Sequence, residues 1–119
     1  NSSTSTINFV VKAVDDLFIA DLVTFPNPFS SSTDIYFQHN QVNQELDYVL
    51  EIYSITGVLV KRIERIAYNS EGYRIGPIRW DGTDNYGFRH SGGVYIAKLS
   101  VHTQEGHFSS KSIRIILLP

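Results

Sequence analysis

Asp81, Asp84 and Asn85 fall within the run D-G-T-D-N-Y-G, Asp81 to Gly87, a spacing with which an oxygen cage for Ca2+ can begin. Such a cage needs about 6–8 oxygen ligands, usually with a bidentate acid, and no Glu follows at a useful distance. The alternative, a hairpin loop whose carboxylates accept from nearby backbone N–H groups, is preferred. The four histidines, His39, His90, His102 and His107, lie in or beside loops. Only His102 and His107 are close in sequence, no spacing resembles a zinc site, and there is no cysteine, so no metal and no cofactor is expected. The chain lacks G-x-S-x-G, H-E-x-x-H and a glycine-rich phosphate loop. Catalysis can be assembled from scattered residues, yet an enzyme is the less economical reading of this stretch of chain. Tyr36, Tyr53, Tyr68, Tyr73 and Tyr86 offer a candidate aromatic strip for carbohydrate. The competing and preferred reading sets them on the wet faces of sheets, because alternation alone does not gather them on one platform.

The elements that must carry these residues are strands. Asn1 to Thr6 is polar and linker-like, Ile7 to Val14 alternates as a first strand, and Asp15-Asp16 turns. Leu17 to Phe25 is more continuously apolar, as in a strand covered on both faces or one crossing between sheets. Phe25-Pro26-Asn27-Pro28-Phe29 must be an edge or a crossover, since neither proline can donate to a ladder. Thr33 to His39 turns Ile35 and Phe37 inward, Asn40 to Gln44 is a polar loop, and Glu45 to Ile55 sets Leu46, Tyr48, Leu50 and Ile52 on one face against Asp47, Glu51 and Tyr53 on the other. Thr56-Gly57 closes a hairpin into Val58 to Ile66. There a strand is preferred to a helix, since β-branched residues dominate and no capping box precedes them.

Ala67 to Gly76 reads as a long loop. Ile78 to Tyr95 places the only tryptophan, Trp80, before the Asp/Asn/Gly turn and returns through Gly92-Gly93. Val94 to His102 sets Tyr95, Ala97, Leu99 and Val101 on one face, Thr103 to Gly106 turns, and His107 to Leu118 closes with Ile113, Ile115 and Leu117 on one face. Short strands, turn signals and no convincing helix predict an all-β fold, an Ig-like antiparallel β-sandwich of about seven or more strands.

Composition narrows the function classes. With 42% hydrophobic and 18% charged residues the chain is globular in type, and 119 residues suit one domain. A net charge of −2 with mixed signs leaves no footprint for nucleic acid and no polybasic membrane patch, and no run is long enough for a membrane helix. The chain starts without Met and without a leader pattern, so it is expected to lack a signal peptide and to be cut from a longer protein.

Taken in order, F-P-N-P-F (Phe25 to Phe29), E-I-Y-S-I-T-G-V-L-V (Glu51 to Val60), W-D-G-T-D-N-Y-G (Trp80 to Gly87) and S-G-G-V-Y-I-A-K-L (Ser91 to Leu99) resemble one family. It is the C-terminal sorting domain of proteins exported by the Bacteroidetes type IX secretion system, related to the Ig-like domain of flagellar hook-capping proteins. A finer likeness, in I-N-F-V-V (Ile7 to Val11) and Y-F-Q-H-N (Tyr36 to Asn40), is to the corresponding domain of that system's gingipain-like cell-surface sortase. Gln41 to Gln44 departs from that pattern, which has a proline and a glycine there.

The resemblance implies residues 1–16 as linker and first strand continuing from an upstream domain, and 17–119 as the sorting domain. It implies a non-catalytic signal or anchor, read by the outer-membrane translocon and by the barrel-type shuttle protein PorV, on a parent delivered through the periplasm to the cell surface. That parent would be a C25-type cysteine peptidase. The alternative is a carbohydrate-binding or structural module of a secreted hydrolase. An apolar terminal strand with an open side suits docking by strand addition, so the expected recognition surface is Gly92, Gly93, Val94, Tyr95, Lys111, Ile113, Arg114 and Ile115. Lys111 and Arg114 either steer a partner or protect the edge.

Overall fold

The computed structural model describes residues 17–41, 44–68 and 72–119. Seven strands follow one another: β1 (Ile19–Phe25), β2 (Thr33–His39), β3 (Leu46–Ser54), β4 (Leu59–Ala67), β5 (Arg74–Trp80), β6 (Gly93–Thr103) and β7 (Phe108–Leu117). They form two antiparallel sheets, a three-stranded one ordered β1-β2-β5 and a four-stranded one ordered β4-β3-β6-β7. Chain order and pairing are those of an Ig-like sandwich whose fourth strand has joined the second sheet. The expected all-β architecture and strand count hold. The strand expected over Ile7 to Val14, the linker before it and the turn at Asp15-Asp16 lie outside the described residues.

Period-two alternation builds the core. β2 buries Ile35 and Phe37, β3 buries Leu46, Tyr48, Leu50 and Ile52, β6 buries Tyr95, Ala97, Leu99 and Val101, and β7 buries Ile115 and Leu117. These inward rows, with Phe29, Ile78 and Trp80, form one cluster between the sheets. Fully burying each large side chain is worth about 1.5–3 kcal/mol, so this cluster dominates stability. β4 is a strand, as preferred, but a thinly anchored one. Of its side chains only Val60 is fully buried, while Leu59 and Ile66 are largely exposed.

Two expectations are corrected. β1 is not covered on both faces: it is an edge strand, with Val23 and Phe25 exposed and a bulge at Asp21, whose φ of 53° spaces the buried Ile19 and Leu22 three apart. The crossing between sheets falls afterwards, in Pro26 to Phe29. The predicted loop to Gly76 ends earlier, because β5 starts at Arg74 and includes Gly76 and Pro77. That is tolerated because β5 pairs with β2 alone and the register shifts opposite Gly76. Gly76 has φ 137°, and a Cβ there would sit 2.7 Å from the carbonyl oxygen of Ile35. Only glycine fits.

Candidate recognition surface

The aspartate-rich turn, first candidate for chemistry, is a structural corner. Asp81 Oδ1 accepts from Thr83 N at 3.2 Å and Thr83 Oγ1 at 2.5 Å, and Asp84 Oδ1 accepts from Tyr86 N and Phe88 N at 2.9 and 3.0 Å. Asp84 Oδ2 meets His90 Nε2 at 3.1 Å. The Phe88 amide, above the other donors, holds the Asp84 carboxyl below the usual carboxylate range, and the Thr83 hydroxyl does so for Asp81. Among the described residues no three His, Asp or Glu side chains are grouped to hold a metal. Trp80 lies under this turn, donating Nε1–H to Thr83 O at 2.9 Å and packing against Phe29 and Tyr95 with ring centroids 5.4 and 5.3 Å away.

The expected recognition residues all belong to the β6–β7 hairpin or its approach, but they divide by depth. Tyr95 and Ile115 are core: Tyr95 packs on Trp80 and donates its hydroxyl to Ser91 O at 2.6 Å, and Ile115 is wholly buried. Ile113 is half-buried against the same cluster. Gly92, Gly93, Lys111 and Arg114 are exposed and Val94 is intermediate. Gly92 seats the chain's last residue, since a Cβ on it would fall 2.7 Å from Pro119 N. In the folded domain Lys111 and Arg114 are accessible to a partner, whereas Tyr95 and Ile115 act through packing.

Sequence reasoning missed two asparagines that close the margins of the four-stranded sheet. At β7, Asn27 donates Nδ2–H to Arg114 O and accepts from Ile116 N, both at 2.9 Å. Phe29 N then donates to Ile116 O, and Leu118 N donates to Phe29 O, at 2.9 and 2.8 Å. At β4, on the opposite margin, Asn85 Oδ1 accepts from Arg62 N at 3.2 Å. Each asparagine stands in for a neighbouring strand over one or two residues. The prolines flanking Asn27 signalled a crossover, but only the fold reveals which strand it meets. The side of β7 expected to be open is therefore partly closed.

The tyrosines form no single platform. Tyr36 and Tyr53 stand on different sheets, Tyr36 beneath the Arg74 guanidinium at 4.3 Å and Tyr53 bonded to Glu51. A separate cleft of about 590 Å3 beside β3 and β4 is lined by Asp47, Val49, Glu64, Ile66 and Tyr68 among others.

No family model matches the chain, and no curated protein matches it. Among solved structures, the crystal structure of dimeric latent PorU from Porphyromonas gingivalis superposes with a TM-score of 0.74 at 31% identity, over 86% of this chain. The domain is PorU-like. The match spans only 9% of the PorU chain, so it concerns one domain of a far longer protein. CopC from Methylosinus trichosporium OB3b matches at a TM-score of 0.54 and 15% identity, over 87% of this chain and 94% of its own, a likeness of fold alone.

Proposed function

We propose that this PorU-like domain is a non-catalytic C-terminal sorting and anchoring module, holding a gingipain-like parent at the outer-membrane surface after passage through the periplasm. The observation that carries the reading is the likeness to PorU across 86% of the chain, in sequence as well as fold. The order of the four sequence motifs supports the sorting role, and the exposed cations of the last hairpin supply a surface for the translocon and the shuttle protein PorV. The domain acts by being recognised, and the parent's chemistry lies elsewhere.

The test must spare the core. Deleting Ile113 to Pro119 removes the buried Ile115 and Leu117 and would block delivery merely by unfolding the domain. Lys111→Glu with Arg114→Glu leaves the core intact. In the full-length parent this pair should move the protein from the surface to the periplasm, scored by protease shaving of whole cells. Normal surface delivery of the folded double variant would sink the proposal.

A further inference from the structure

The margin of β7 is closed at one end only. Asn27 and Phe29 occupy the outward backbone groups between Arg114 and Leu118. The pairing of β7 with β6 has no register break, so Phe108, Ser110 and Ser112 direct their N–H and C=O groups to that same side. No described strand is hydrogen-bonded to that side, although β1 of the other sheet packs beside β7. The open stretch spans about 17 Å, the length of an ordinary strand.

Its charge is positive. From Gly93 to Pro119 the chain carries Lys98, Lys111 and Arg114 against Glu105 alone, a net of +2 in a chain whose total is −2. Lys98 faces Ser112 across the ladder and shares the outer face with Arg114, while Lys111 lies in the inward row yet is exposed. Lys111 thus sits on the open stretch itself, with Arg114 just beyond it at the closed end and Lys98 one strand in, opposite Glu51, and none of the three has an ion pair among the described residues. Two copies joined edge to edge would oppose these like charges. An anionic polysaccharide would satisfy the charge but leave the ladder unmade.

We infer that the margin from Phe108 to Ser112 receives an extended acidic segment of a partner protein, added as a fifth strand to the four-stranded sheet. This deepens the anchoring reading by naming the partner's chemistry, and rests on that reading only for its cellular setting. Lys111 then both repels copies of the domain and selects the partner.

The probe is a synthetic peptide of about eight residues alternating Glu with Val, a strand's length, titrated into the 119-residue chain while its amide resonances are followed. A peptide alternating Lys with Val is the control. The expected result is saturable, salt-weakened binding with protection of the Phe108, Ser110 and Ser112 amides. Ser110→Pro removes an outward N–H without breaking the ladder to β6, and should weaken binding about tenfold, as one lost hydrogen bond would. Lys111→Glu with Arg114→Glu, which touches no backbone group, should weaken it similarly. Equal binding of the lysine peptide, undiminished binding by both variants, or no binding of the glutamate peptide overturns the inference. Retention of heparin together with the peptide by Ser110→Pro would assign the surface to polyanions in general and overturn strand addition. The measurement needs no cell, so its failure is distinct from a failure of surface delivery.

Discussion

Single residues carry unequal weight in this domain, and Trp80 carries most. It is buried to 1% exposure, bonded through its indole and held between Phe29 and Tyr95. Trp80→Ala should cost about 3–5 kcal/mol, read as a lower denaturation midpoint by circular dichroism. His39 is a pH-sensitive position. Burial pushes its imidazole below 6.5 against a weaker opposing hydrogen bond to Gly72, and its Nδ1 accepts from Gln41 N at 3.0 Å, a role only the neutral ring fills. Because the folded value is depressed, the unfolded chain binds the proton more readily, so stability present above 6.5 is lost as pH falls toward the folded value. Thermal unfolding followed from pH 7.5 down to pH 5.5, about one unit either side of the free imidazole value, should show a fall that His39→Asn flattens. Gly92→Ala would drive a Cβ into the backbone of Pro119 and should speed hydrogen exchange at Leu118, whose N–H bonds Phe29 O.

Among the elements, the margins of the four-stranded sheet differ from its middle. β3 and β6 are paired on both sides, whereas β4 and β7 rely on asparagine side chains for part of their outward edges. Asn27→Ala removes two bonds to β7 and should cost about 1–2 kcal/mol, with faster exchange at the Ile116 amide and little change within β6. Alternation made the rows of β2, β3, β6 and β7 legible, because a half-buried strand must repeat every two residues, but in β6 and β7 it did not say which row faces the core. It failed where bulges broke the period, at Asp21 in β1 and near Gly76 in β5. A local extra residue there shifts the faces without leaving a compositional mark.

At the scale of the whole molecule, a weakly acidic chain carries a net of +2 on its last hairpin, as it does on β4, and among the described residues the hairpin's cations make no ion pair. Cations beside a partly open edge, rather than the aspartate turn, mark the candidate surface, and they would make binding of an acidic partner salt-dependent. The sequence by itself determined the all-β class, the alternating rows of the strands, the corner at Trp80 and the capping role of Asp81 and Asp84, because these follow from local periodicity and turn chemistry. Four of the eight expected recognition residues, Gly92, Gly93, Lys111 and Arg114, are exposed. Only the tertiary structure decided that Tyr95 and Ile115 are core, that F-P-N-P-F closes half of the terminal strand's margin, and that Lys98 joins Lys111 and Arg114. Those facts depend on which strands become neighbours. Contacts such as Asn27 to Ile116, between residues far apart in the chain, leave no periodic trace in it.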